Sequence, residues 1–204
     1  MNHVVGWRMA AVVSIVGLAC ATPSWAERSI ILPRPGQVGV ALQGGYGSLL
    51  KRGDLGSDFA SGPTLAVRLR YRLRYERAIG LSFENQRFEI RVPELLDPLG
   101  NPGRTRVNLV LSGLEFYQMF GTRTRTTKML MVGAGVAQTS GRTINKETFY
   151  PGDGSFISAG FGVERFFFRS WAIDLSTRYA AVFLPEDREH DVQVALGLIF
   201  YASY

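Results

Sequence analysis

Residues 65–75 read Leu-Ala-Val-Arg-Leu-Arg-Tyr-Arg-Leu-Arg-Tyr, and this stretch leaves the chain few folds to choose from. Every odd position is apolar or aromatic. The even positions are Ala66, Arg68, Arg70, Arg72 and Arg74. Successive side chains of a β-strand point to opposite faces, so a strand sorts these residues into one oily face and one cationic face. A helix would scatter them around its circumference. The fold must therefore shelter one side of this strand and satisfy a row of guanidiniums on the other.

The same period of two recurs along the chain. It predicts further strands over 37–50, 77–90, 106–120, 128–140, 155–168, 171–184 and 191–204. In the last of these, Val192, Val194, Leu196, Leu198 and Phe200 alternate with Gln193, Ala195 and Gly197. The phase is ambiguous in the segment 106–120, where Leu109 and Leu111 disagree with Leu114 and Phe116. A bulge near Ser112 is expected to reconcile them. Connections near Glu76, at 122–126 and at 169–170 are short. Those at 51–62, 91–104, 141–154 and 185–190 are longer and polar. Strict alternation of the two kinds collects the long loops at one end. The expected architecture is all-β: an eight-stranded antiparallel up-and-down barrel.

The N-terminus reads as a targeting segment. Arg8 precedes an apolar run over 9–21, and Ser24-Trp25-Ala26 supplies a small-x-small cleavage site, so 1–26 is expected to be a signal peptide. The run is too short to cross a bilayer as a helix. A proline-punctuated lead-in on the periplasmic side follows over 27–35, and the barrel is assigned to 36–204. The one cysteine, Cys20, falls in the leader, which removes disulfides and thiolate metal sites from consideration. His190 is the one histidine after the leader. It outlines an acid–base group with Asp191 and Asp187, but no His-x-Ser pattern accompanies it. No catalytic residue, cofactor or metal is expected. The net charge of +6 rests almost wholly on arginines split between strand faces and turns, a distribution unsuited to nucleic acid.

Alternation alone leaves open which face is outside. A soluble barrel would turn its apolar face inward around a guest molecule. Three features favour the reverse. The polar face mixes Gly, Ala and Ser with a few long charged residues, as a narrow eight-stranded lumen requires. Aromatics gather near strand ends: Tyr46, Tyr71, Tyr75, Phe116, Tyr117, Phe120, residues 166–168, Trp171 and Phe183. Membrane barrels carry such girdles at both interfaces. The long loops also segregate, and only a closed barrel could cross lipid with these strands.

On these residues the chain resembles the small eight-stranded outer-membrane barrels of the OmpA/OmpX type. The final segment carries the resemblance most specifically, with Leu196, Leu198 and Phe200 outward, Gly197 inward and an aromatic Tyr204 at the end. Ala202 and the terminal Tyr depart from the family's pattern. Gly113-Leu114-Glu115 and Gly162-Val163-Glu164 are also similar. The resemblance implies that 196–204 is an assembly signal read by the outer-membrane assembly machinery after periplasmic chaperones deliver the chain. It further implies a monomer in contact with outer-membrane lipids and lipopolysaccharide.

In this orientation Arg68, Arg70, Arg72, Arg74 and Arg178 enter the lumen together with Glu84, Glu115, Glu164 and Asp174. Near-matched charges in so small a space predict mutual pairing and a plugged barrel. A narrow anion path is the competing expectation, and a lipid A-modifying enzyme using His190 is another. Basic turn residues, among them Arg74, Arg77, Arg123, Arg125, Lys128, Arg165 and Arg169, are expected on the periplasmic side, where they face phospholipid headgroups or water.

Overall fold

Each alternating segment forms a strand, because extended backbone is the conformation that separates its apolar and polar side chains. A computed structural model describes residues 34–50, 61–96, 102–142, 148–185 and 188–202. The strands are β1 (Val38–Leu50), β2 (Gly62–Arg74), β3 (Arg77–Leu96), β4 (Pro102–Phe120), β5 (Thr126–Arg142), β6 (Thr148–Phe166), β7 (Trp171–Phe183) and β8 (Arg188–Tyr201). Each pairs antiparallel with the next, and β1 pairs with β8, from Gly39↔Tyr201 to Leu50↔His190. This last ladder closes the barrel and removes the sheet's edges. The leader, most of the lead-in and Tyr204 lie outside the described residues.

The short connections 75–76, 121–125 and 167–170 share one end of the barrel. Both ends of the described chain lie there too. Gly36 N donates to Arg72 O at 2.7 Å, and Ala202 N donates to Val38 O at 2.9 Å. At the opposite end the prediction needs adjustment. The segments expected as loops at 91–104 and 141–154 are largely strand. β3 to β6 run 20, 19, 17 and 19 residues, against 13 or 14 for the other four. Their ladders continue to Leu96↔Pro102 and Arg142↔Thr148, with register shifts between Val92 and Leu96 and between Thr139 and Gly141. The period-two signal fades there although the strands persist, because ladder hydrogen bonds are made by the backbone whatever the side chains are.

Burial settles the orientation. Leu69 is 38% exposed and Arg70 is 0% exposed, the inverse of a water-soluble fold. The same inversion runs around the wall: Leu42, Phe83, Leu114, Leu130, Ile157 and Leu196 are exposed outside, while Gln43, Glu84, Glu115, Glu164, Asp174 and Gln193 are buried inside. Only hydrocarbon suits so continuous an apolar outer surface.

β4 corrects the expected bulge. Its pairing runs unbroken through Phe83↔Ser112 and Ser112↔Val136. Leu109 and Leu111 simply face inward with Val107, and Leu114 and Phe116 face outward. The conflict in phase arises because this part of the lumen is itself apolar. Tyr117 and Phe166 leave the girdle for the same reason. They share the inward phase of Glu115 and Glu164, and they are 0% and 2% exposed.

Candidate functional site

The lumen is filled in three layers. At the loop end, Leu49, Phe88, Val107, Leu109, Leu111, Ala137, Phe156, Ala180 and Val182 form an apolar cluster, with Leu184 packed against it. At the turn end two smaller clusters meet the bottom of the lumen. One is Ala41, Phe166, Ala172, Ile199 and Tyr201; the other is Ala78, Tyr117, Met119, Met129 and Met131. Between them lie the charges. The small residues of the inward face make room for the large ones. A Cβ on Gly39 would stand 2.7 Å from Tyr201 Cε1, and one on Gly113 would stand 2.9 Å from Phe156 Cζ. Only a glycine admits those rings.

The charged layer has two centres. Near the turn end, Glu164 receives Arg70 through a short contact and Arg72 at 3.0 Å. Tyr201 donates its hydroxyl to the same carboxylate at 2.7 Å. Arg70 also reaches Asp174 at 3.2 Å, and Gln43 Nε2 donates to Asp174 at 2.7 Å. Above it, Arg178 joins Glu84 through a short contact and Glu115 at 3.1 Å. Arg68 lies 3.7 Å from Glu84 and 3.8 Å from Glu115. Tyr117 and Gln193 donate short hydrogen bonds to Glu115 and Glu84. The Arg70 guanidinium, 4.3 Å over the Tyr117 ring, links the two centres. The hydrogen bonds are made by the Nη ends of the arginines; none of the four Nε–H groups donates one among the described residues, although Arg68 Nε is the atom 3.8 Å from Glu115.

Eight of the nine predicted lumen charges thus come together. The exception is Arg74. The β2–β3 ladder shifts register between Arg72 and Arg74, and Arg74 is exposed opposite Arg77 beside the turn. A turn has no inside, so the alternation that predicted it ends one residue too soon. The polar network also takes in residues outside the predicted ion set: Gln43 and Gln193, whose inward face the alternation does give, and Gln86, Tyr117, Asp191 and Tyr201. All share the inward phase of their strands, and counting that phase through to the strand ends would have found the last four. Asp191 is the instructive one. It is 0% exposed and accepts from Gln193 Nε2 at 2.6 Å and Gln86 Nε2 at 3.2 Å. His190 points the other way, stacked on Tyr179 with ring centroids 5.7 Å apart. His190 and Asp191, which outline an acid–base pair in the sequence, are therefore split between two faces of β8, and Asp187 lies outside the described residues.

In β8, Leu196, Leu198 and Phe200 are outward and exposed, with Gly197 at an inward position. Above the charges, a pocket lined by Leu49, Phe88, Val107, Leu109, Thr139, Val182, Leu184 and Glu189 holds about 10 Å³ of free space, enough for one water at most. No group of three or more metal-ligating side chains occurs among the described residues.

A closed eight-stranded barrel, oily outside and ion-paired within, belongs in fold to the small outer-membrane β-barrels. No family profile and no curated protein matches the chain in sequence. Solved structures match it in shape. The neisserial surface protein NspA is similar with a TM-score of 0.60 at 12% identity, over 80% of this chain and 96% of that one. OprG of Pseudomonas aeruginosa gives 0.53 at 14% identity over 86% and 100%. Ail of Yersinia pestis, in complex with the heparin analogue sucrose octasulfate, gives 0.53 at 11% identity over 81% and 99%. At such identities the likeness is one of fold.

Proposed function

We propose that this protein is a non-enzymatic integral outer-membrane barrel that seals its own lumen and presents four loops at the outer surface for a structural or adhesive role. One observation carries the reading. The arginine–carboxylate layer lies between largely apolar, packed layers at both ends, so an ion entering from either side would have to cross a plug with room for one water at most and then displace a paired charge. A narrow anion path would need arginines free to exchange partners. Here each of the four bears on a carboxylate. Lipid A chemistry would need an acid beside His190, whereas the adjacent acid turns into the barrel. The loops carry no recognisable motif, and no ligand is assigned to them.

Conductance across planar bilayers tests the reading. The refolded protein is expected to show no steady, large openings at neutral pH, and such openings would overturn the plug. In a lipid A modification assay the wild type and His190→Ala should be equally inactive.

A further inference from the structure

We infer that the turn end of the barrel, centred on Lys128 and Arg165, is a binding surface for the phosphate headgroups of anionic phospholipids. The inference rests on the membrane-spanning reading and goes beyond it, from lipid in general to one leaflet and one headgroup charge.

The first observation is a contrast between two sets of cations. Every lumen arginine is ion-paired. Arg74, Arg77, Arg125, Lys128, Arg165 and Arg169 form no ion pair among the described residues. Glu76 is the one exposed acid at this end among those residues. The second is their arrangement. Arg74 and Arg77 are direct cross-strand partners, and like charges so placed repel. Thr126↔Arg165 and Lys128↔Val163 are in register, which makes Lys128 and Arg165 diagonal neighbours on one face, a relation that spaces residues about 7–8 Å apart. Two long side chains can close that gap on a shared phosphate. Arg125 joins them, its carbonyl accepting from Phe166 N at 2.8 Å.

The third observation is depth, and it selects the partner. Lys128 and Arg165 do not sit on turn tips. They share the outward strand face with Leu130, which is 54% exposed to the bilayer side. Phe120, the register partner of Lys128, and Phe167, Phe168 and Trp171 surround them, all exposed. Cations in an aromatic girdle lie at headgroup level, where a soluble polymer cannot follow and a lipid phosphate already sits.

The chain supplies its own probe. Trp171 is the only tryptophan after Ala26. Arg165↔Ile173 pairing makes Trp171 a diagonal neighbour of Arg165. We would refold a chain starting at Glu27, which keeps every described residue, into phosphatidylcholine vesicles. A small fraction of the lipid would be brominated phosphatidylglycerol or, in parallel, brominated phosphatidylcholine, with Trp171 fluorescence as the readout. Brominated phosphatidylglycerol should associate on the order of fivefold more strongly per engaged cation. Lys128→Gln with Arg165→Gln should abolish the preference while the heat-modifiable folded band persists, and Arg123→Gln should leave it intact. Inorganic phosphate at millimolar concentration should not compete. Equal quenching by both lipids, or loss of the preference to free phosphate, overturns the inference and leaves the barrel's orientation standing. Absence of quenching by either lipid would instead overturn the membrane-spanning reading, and the inference with it.

Discussion

Glu164 shows at the scale of one residue what this interior depends on. Its carboxylate answers Arg70, Arg72 and Tyr201 together. Glu164→Gln leaves Arg70 with Asp174 alone and takes from Arg72 the carboxylate it pairs with. We expect a loss of about 3–5 kcal/mol, read from urea unfolding in vesicles, because an uncompensated buried charge costs more than the pair contributed. Asp174→Asn should cost less, since Arg70 keeps Glu164 and the Gln43 amide can turn to the new side chain. Gly39 is sensitive in another way. A Cβ there would meet Tyr201 Cε1 at 2.7 Å and Ile199 Cδ1 at 3.0 Å. Gly39→Ala should cost about 1–3 kcal/mol by pushing the phenol off Glu164.

At the scale of the strand, β2 makes the argument testable by a swap of neighbours. Leu69 faces hydrocarbon from the middle of β2, paired with Val40 and Leu81. Leu69→Arg should lose about 2–4 kcal/mol, as a cation near the bilayer midplane does. Arg70→Met alters a more buried place by one charge as well, yet membrane insertion should survive it, because methionine suits the lumen, Arg72 still holds Glu164 and Gln43 still donates to Asp174. Insertion scored by heat modifiability should separate the two variants; equal tolerance would contradict the assigned faces. β4 offers the converse test. Leu111 faces inward to a dry cluster, so Leu111→Asn should destabilise by about 1–3 kcal/mol by stranding an amide. Had a bulge sent Leu111 outward, the substitution would act on the lipid face instead.

The whole molecule is a stack: apolar plug, ion layer, apolar floor, all inside an oily wall. The stack explains why the charged layer is tolerable at all. Each guanidinium is dry, and each has its carboxylate. Phe156, which fills space beside Gly113 and Gly135, is with Phe88 one of the two largest side chains of the upper layer. Phe156→Ala should cost about 3–5 kcal/mol. It should still leave the bilayer conductance low, because the ion layer beneath remains closed. The folded chain should also require detergent or lipid. A monomer folded in plain buffer would contradict the outer surface described here.

Much of this was written in the linear order of residues. Period two gave the number of strands, their faces and the identity of eight lumen charges, because side-chain alternation is a local consequence of extended backbone. It was misleading at Leu109 and Leu111, which face an apolar part of the lumen while Asn108 and Ser112 face out; at Arg74, where the strand gives way to a turn; and along the upper parts of β3 to β6, where backbone pairing continues without an alternating sequence. Partnership was never legible. Arg70 and Glu164 stand 94 positions apart, and Arg178 and Glu84 equally far. Which guanidinium meets which carboxylate, and that Asp191 turns inward away from His190, follows from the heights at which eight strands register when the barrel closes. That closure is a property of the assembled sheet and of no segment within it.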